Sequence, residues 1–185
     1  MNFEITVPET KKKTESIQLS DDRLPANVVA VVKGSRKYNS EETPKQGLWL
    51  VLQVCDGDTV LHFNTKFCTG VLSPKSNLYE VMKALTGVDG DVISEVRLRF
   101  CDEAGALDPH KLLGLPCTAN LAKTDKGYYN LASISPLHPK VGTCAVKAVD
   151  VPKWVVKPFD WEVEEVVMLD DLKVRASHEK EDLPY

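Results

Sequence analysis

The sequence lacks a hydrophobic run of about 20 residues, the length that a transmembrane helix needs. Its 185 residues are 43% hydrophobic and 27% charged, a composition typical of soluble globular proteins. Three lysines near the N-terminus, Lys11 to Lys13, are not followed by the apolar run of a signal peptide. We therefore expect one main domain in a soluble, cytoplasmic protein that has no membrane partner.

The sequence also lacks paired cysteines. Its five cysteines are widely spaced, form no C-x-x-C motif and are odd in number, which disfavours both a disulfide framework and a zinc site. None of the four histidines has a second histidine or cysteine at the spacing of metal ligands. We expect reduced thiols and no metal or other cofactor; the cysteines are Cys55, Cys68, Cys101, Cys117 and Cys144.

Catalytic motifs are absent as well. The chain contains no P-loop, no G-x-S-x-G and no H-E-x-x-H sequence. Asp56 and Asp58 flank Gly57 as in some metal-binding loops, but a tight hairpin turn explains the same three residues. The sequence therefore predicts a protein that is not an enzyme.

Charge is distributed unevenly along the chain, whose net charge is −4. Residues 159–185 contain nine acidic and three basic residues, and residues 1–22 contain five acidic and three basic residues. Residues 23–158 consequently carry a net charge of +4. We interpret residues 1–22 as an N-terminal arm, residues 23–158 as the folded domain and residues 159–185 as an acidic C-terminal tail. The apolar residues within 160–177 are compatible with a helix or a strand on the domain, so only about the last ten residues need be free.

The first half of the domain has the pattern of three strands. A valine-rich run begins near Leu24, a loop follows at residues 39–47, and two further apolar runs flank the turn at Asp56 and Gly57. Alternation along the second run predicts one apolar face and one wetter face. The wetter face, with its continuation on the third strand, contains Trp49, Gln53, His62, Asn64 and Lys66.

The second half predicts helical and strand segments. Ser76 to Gly87 has the cap, apolar spacing and terminal glycine of a helix, whereas residues 91–100 are compatible with either a helix or a strand. Asp108 and Pro109 begin a single helical turn. Residues 115–123 and 128–137 are two strands joined by a compact turn.

Five strands with a helix between the third and the fourth match the OB-fold, a five-stranded Greek-key barrel. A small α+β sandwich and an SH3-like barrel are the alternatives. An OB-fold binds ligands on strands 2 and 3 and on the loops between strands 1 and 2 and between strands 4 and 5, and single-stranded nucleic acid needs basic and aromatic side chains there. The candidate nucleic-acid-binding residues are Arg36, Lys37, Tyr38, Lys45, Trp49, His62, Lys66, Lys123, Lys126 and Tyr128.

Two parts of the sequence resemble known families. The ending Asp182-Leu183-Pro184-Tyr185, preceded by Glu179 and Glu181, resembles the acidic Asp-Ile-Pro-Phe tip of bacterial single-stranded DNA-binding proteins, with Leu in place of Ile and Tyr in place of Phe. This resemblance implies that Glu181 to Tyr185 dock on replication, recombination or repair proteins.

Residues 75–137 resemble a group of phage-encoded proteins from replication and recombination cassettes. The shared pieces are a Lys-Ser-Asn-Leu helix start, the strand entry Leu112 to Cys117 and the final strand Tyr128 to Pro136. The resemblance implies an OB-like core that binds single-stranded DNA.

We therefore expect a non-catalytic protein of a phage or mobile element that binds single-stranded DNA without sequence preference and recruits partners through its C-terminal tip. For a phage-encoded protein the compartment is the host cytoplasm, and a homo-oligomer is compatible with the sequence. The alternative is a protein-interaction module or recombination mediator with little direct DNA binding.

Overall fold

The computed structural model describes residues 17–38, 43–158 and 160–175. The architecture is mainly β, with one large antiparallel sheet and short helices. The strands are β1 (Arg23–Arg36), β2 (Lys45–Asp56), β3 (Thr59–Asn64), β4 (Cys68–Thr69), β5 (Pro116–Lys123), β6 (Tyr129–Ser135) and β7 (Trp161–Met168), and the helices are α1 (Asn77–Thr86), α2 (Val92–Phe100) and α3 (Lys153–Val156).

The sheet has the order β3-β2-β1-β5-β6. Three consecutive strands, β1 to β3, are therefore followed by a fourth long strand, β5, that returns beside the first, which is the arrangement of a Greek key. β1 pairs with β2 on one side, and on its other side it pairs first with β5 and then with β7. β3 and β6 are not hydrogen-bonded to each other, so among the described residues the sheet does not close into the expected barrel.

An inner core fills the space between the sheet and the first two helices. Leu50 and Leu52 of β2 belong to this core, as do Met82 of α1 and Val96 of α2. Ser76 begins α1 by accepting a hydrogen bond from the backbone N–H of Tyr79, as its sequence predicts. The ambiguous residues 91–100 contain α2, and Asp108 caps the predicted single turn at Pro109–Lys111.

A second core lies on the opposite, outer face of the sheet. A bulge between Val28 and Ala30 of β1 turns the consecutive residues Val29 and Ala30 toward this face. Trp49 and Val51 of β2 pack there against residues from the C-terminal part of the chain. β1 and β2 are consequently buried on both faces.

Residues 144–158, which we call the covering segment, run across this outer face. The side chain of Gln53 accepts a hydrogen bond from the N–H of Lys147 at 2.6 Å and donates one to its carbonyl oxygen at 2.9 Å. Asn27 donates to the carbonyl oxygen of Cys144 at 2.9 Å. The side-chain amides of Asn27 and Gln53 thus satisfy the backbone of a segment that lies 117 and 94 residues further along the chain, respectively.

The region that the sequence analysis assigned to the acidic tail begins with a strand of the sheet. β7 pairs with the end of β1, and its residue Trp161 is buried in the outer core. The acidic residues between its apolar ones are exposed, because β7 lies at an edge of the sheet. The domain therefore extends to at least Arg175. None of the helices in the described ranges is long and apolar enough to cross a membrane.

Candidate nucleic-acid interface

A groove of about 840 Å³ separates the end of β3 from the β5–β6 hairpin. One wall consists of Phe63 and Asn64 together with Trp154 of α3, and the other consists of the hairpin and the first residues of β6. This volume is within the range of ligand sites in proteins. The lining residues are Phe63, Asn64, Thr124, Lys126, Tyr128, Tyr129, Asn130, Leu131 and Trp154.

The β5–β6 hairpin holds Lys126 and Tyr128 at the rim of this groove. The N–H of Thr124 donates to the carbonyl oxygen of Tyr128 at 2.7 Å, and the Thr124 hydroxyl accepts from the Tyr128 N–H at 3.1 Å. Gly127 has a φ of 87°, a conformation that disfavours side chains larger than hydrogen. The turn therefore has a defined shape, and Tyr128 remains 48% exposed.

Trp154 is an aromatic residue of the groove that the sequence analysis missed. It lies in α3, whose residues Val155 and Val156 are buried in the outer core and so fix the position of this short helix. The run Trp154-Val155-Val156 lies between two prolines and is too short for a periodicity argument. Its only signal in the sequence is a tryptophan beside Lys153.

Adjacent tyrosines in the hairpin have different roles, as alternation along a strand requires. Tyr129 packs against the inner core, and its hydroxyl accepts a hydrogen bond from the N–H of Leu19 at 3.3 Å. Lys123 lies over the Tyr129 ring at 5.7 Å and donates to the side chain of Gln18 at 3.0 Å. Lys123 therefore contacts a residue that precedes β1. It lies next to the groove but does not line it.

The expectation that Trp49 lies on a wet face is wrong, because its ring is fully buried. The ring packs against Trp161 at a centroid distance of 5.0 Å and against Phe67 at 5.9 Å, and its indole N–H donates to the carbonyl oxygen of Val156 at 3.1 Å. The prediction that Trp49 and Val51 lie on the face opposite Leu50 and Leu52 is confirmed. The covering segment and β7, however, exclude solvent from that outer face. In this arrangement Trp49 has no free surface on which a base can stack.

His62 is buried for the same reason and is 6% exposed. Its Nε2 atom lies 3.3 Å from the amide nitrogen of Gln53. Burial, together with the positive charge of Arg175, lowers the pKa of His62 from its ordinary value of 6.5 to about 4. A neutral imidazole that accepts from the Gln53 amide fits this environment.

Four candidate residues lie at the other end of β1, in and beside the β1–β2 connection. Two cations lie over the ring of Tyr38. The guanidinium carbon of Arg36 is 4.8 Å from the ring centroid, and the ammonium nitrogen of Lys45 is 5.4 Å from it. Arg36 also lies 3.6 Å from the carboxylate of Asp160. Lys37 is exposed.

This basic cluster is remote from the groove along β1. The β5–β6 hairpin extends past the first residue of β1, since Arg23 pairs with Asn120, whereas Arg36 is its last residue. The structure therefore does not bring the two predicted loops together into one continuous basic surface.

Lys66 is exposed in the connection after β3. It lines a small cleft, of about 50 Å³, between that connection, α1 and β6. Leu131 lines both this cleft and the groove, so the two are neighbours along β6. Of the predicted binding residues, Lys126 and Tyr128 line the groove and Lys66 lies beyond it. The predicted docking residues Glu181, Asp182, Leu183, Pro184 and Tyr185 lie outside the described residues.

Within the described ranges, no three His, Cys, Asp or Glu side chains are grouped so that they can hold a metal ion. Comparisons with protein-family models, with curated proteins and with solved structures find no match to this chain.

Proposed function

We propose that this protein binds single-stranded DNA, without sequence preference, in the groove between β3 and the β5–β6 hairpin. The observation that carries the proposal is the lining of the groove, where Tyr128 and Trp154 supply aromatic faces and Lys126 supplies a positive charge. Base stacking on such faces stabilises single-stranded complexes by about 1–3 kcal/mol per base, and it tolerates any base. Asn64 and Asn130 add amide groups that suit sugar and phosphate oxygens.

The strand order supports the same proposal. A Greek key with helical structure between its third and fourth long strands, here α1 and α2 between β3 and β5, resembles an OB-fold. An OB-fold is a partly open barrel that binds oligonucleotides with the loop between its fourth and fifth strands, among other parts. In this chain that loop is the β5–β6 hairpin, which contributes Lys126 and Tyr128 to the groove. We propose that the domain is an OB-like domain in which the covering segment occupies the outer face of strands 2 and 3.

The resemblance to phage replication and recombination proteins gives the proposal its setting. The protein would protect displaced strands in the host cytoplasm, and residues 181–185 would recruit replication or recombination proteins. A proline and an aromatic residue beside carboxylates form a short linear ligand for an apolar pocket with a basic rim. Removal of residues 176–185 is expected to leave DNA affinity unchanged or higher and to abolish partner recruitment; lower affinity would contradict this assignment.

A titration of fluorescently labelled oligo-dT, followed by anisotropy, tests DNA binding. Tyr128→Ala and Trp154→Ala are each expected to weaken binding about five- to 150-fold, which corresponds to the loss of one stacked base. Lys126→Gln is expected to lower the slope of log affinity against log salt by about one. Tyr38→Ala, which removes the aromatic residue at the far end of β1, is the matched control and should change affinity less than twofold.

The experiment also distinguishes the proposal from a second function. The edge of β6 that faces away from β5 has no strand partner among the described residues, and such an edge accepts an extended peptide. A protein-interaction module or recombination mediator would use this edge. Absence of oligo-dT binding at 50 mM salt would reject the DNA proposal and favour that alternative.

A further inference from the structure

Two cysteine side chains meet where the covering segment begins. The Cys144 thiol accepts from the side-chain amide of Asn27 at 3.4 Å and lies 3.7 Å from the carbonyl oxygen of Pro25. Cys55 is two residues from Gln53 on β2, so its side chain points to the same outer face. Ala26 of β1 pairs with Val54 of β2, so Cys55 lies beside Pro25, the residue whose carbonyl oxygen Cys144 contacts. The two cysteines are therefore neighbours on the outer face.

The other three cysteines have different surroundings. Cys68 and Cys117 are completely buried and belong to the inner core, and Cys101 follows α2. Cys144 is half-buried, whereas Cys55 is 3% exposed. A small oxidant therefore reaches Cys144 first, and Cys55 is the neighbouring thiol on the outer face of the sheet.

We propose that Cys55 and Cys144 form a reversible disulfide that fixes the covering segment to β2. The oxidant is a small disulfide such as oxidised glutathione. The Cys144 thiolate attacks one glutathione sulfur, which forms a mixed disulfide and releases one glutathione thiolate. Cys55 then loses its proton to solvent and attacks the Cys144 sulfur, which releases the second glutathione. Two protein thiols become one disulfide, and one glutathione disulfide becomes two glutathione molecules.

The second of these steps is slow at neutral pH. Burial raises the pKa of Cys55 to about 12, and the neighbouring Cys144 contributes in the same direction. The thiolate is the nucleophile in disulfide exchange, so only a small fraction of Cys55 is reactive at pH 7. This fraction rises about 100-fold between pH 7 and pH 9, and the rate of closure of the mixed disulfide should rise with it.

The bond changes what the covering segment can do. In the reduced protein, hydrogen bonds from Asn27 and Gln53 and the apolar contacts of the outer core hold this segment on the sheet. In the oxidised protein Cys144, the first residue of the segment, cannot separate from Cys55 of β2 until the bond is reduced, and a loop of about ninety residues is closed in the unfolded chain. Slower hydrogen exchange over residues 144–158 and a higher unfolding temperature follow.

The test treats the full chain with oxidised glutathione and maps the products by mass spectrometry under non-reducing conditions. We expect an intramolecular Cys55–Cys144 link, a mass lower by about 2 Da, closure that is faster at pH 9, and reversal by dithiothreitol. Cys101→Ser should form the same link. Cys144→Ser should form no intramolecular disulfide. A cooperative unfolding transition would show that this variant is folded. A persistent glutathione adduct on Cys144, or links through Cys101 or between molecules, would overturn the proposal.

A second measurement rests on the proposed function. Trp154 is a wall of the groove only while the covering segment lies on the sheet, so DNA should bind the closed form. The oxidised protein is then expected to bind oligo-dT within about twofold of the reduced protein. If the disulfide forms but abolishes DNA binding, the closed groove is not the DNA site, and that result overturns the proposed function while leaving the disulfide established.

Discussion

The buried position of His62 makes a prediction about stability in mild acid. In the unfolded chain its imidazole has the ordinary pKa of 6.5, whereas in the folded protein the pKa is about 4 because of burial and the nearby Arg175. Between these two values the unfolded state binds more protons than the folded state. The free energy of unfolding must therefore fall as the pH decreases from about 6.5 to about 4.

The size of this effect follows from the two pKa values. At pH 7 the imidazole is about one quarter charged in the unfolded chain and neutral in the folded protein, whereas at pH 5 it is almost fully charged in the unfolded chain and mostly neutral in the folded protein. The linkage relation gives a loss of about 2 kcal/mol between pH 7 and pH 5 from this one side chain. Asp21 and Asp91, whose pKa values are lowered from 3.8, titrate mainly below this window.

Urea denaturation at pH 7 and pH 5 measures the effect in wild type and in His62→Gln. The variant cannot be protonated, so it should lose about 2 kcal/mol less than wild type between the two pH values, whatever its stability at pH 7. His110→Gln removes an exposed histidine and should keep the full loss. Equal losses in wild type and His62→Gln would refute the buried, neutral assignment. Neither substitution should change the affinity for oligo-dT at pH 7.

Two further predictions concern the outer core. Gly34→Ala should destabilise the fold by about 2–4 kcal/mol, because a Cβ there would overlap the carbonyl oxygen of Glu162 and crowd the Trp49 ring. Gly70→Ala is the control, since a Cβ at Gly70 meets no atom within 4 Å. Equal unfolding midpoints for the two variants would contradict this packing. Trp49→Phe should cost about 2 kcal/mol in urea denaturation through the lost indole bond to Val156 and the lost ring volume. The affinity of this variant for oligo-dT should stay within twofold of the wild-type affinity. A tenfold loss of affinity would indicate that Trp49 contacts the DNA.

The sequence predicted the strands better than their surroundings. Alternation in residues 48–54 assigned each side chain to the correct face, because that property depends only on local backbone geometry. It failed to predict that the outer face is covered, since the hydrogen-bond partner of Gln53 is Lys147, far along the chain. The near-continuous apolar runs of β1 and β2 were the available signal, because such runs are typical of strands buried on both faces.

Charge counting placed β7 in the acidic tail. Its sequence alternates imperfectly and contains three glutamates, although its apolar residues are compatible with a helix or a strand on the body of the domain. An edge strand tolerates such charges on its exposed side. Its apolar residues Trp161 and Val167 are buried. A count of net charge gives no weight to these apolar residues, so it could not show that the segment packs on the sheet.

The position of β7 also explains why the two ends of the domain are electrostatically different. Lys33 and Arg36, near the end of β1, lie within 3.5 and 3.6 Å of the carboxylates of Glu165 and Asp160. Exposed pairs of this kind stabilise a fold by at most about 1 kcal/mol, but they offset the charge available to a phosphate. No described carboxylate lies within 4 Å of Lys126 at the opposite end. This difference supports the proposal that DNA binds in the groove beside the β5–β6 hairpin, where Lys126 lies with two aromatic rings, although the β1–β2 connection holds more basic residues.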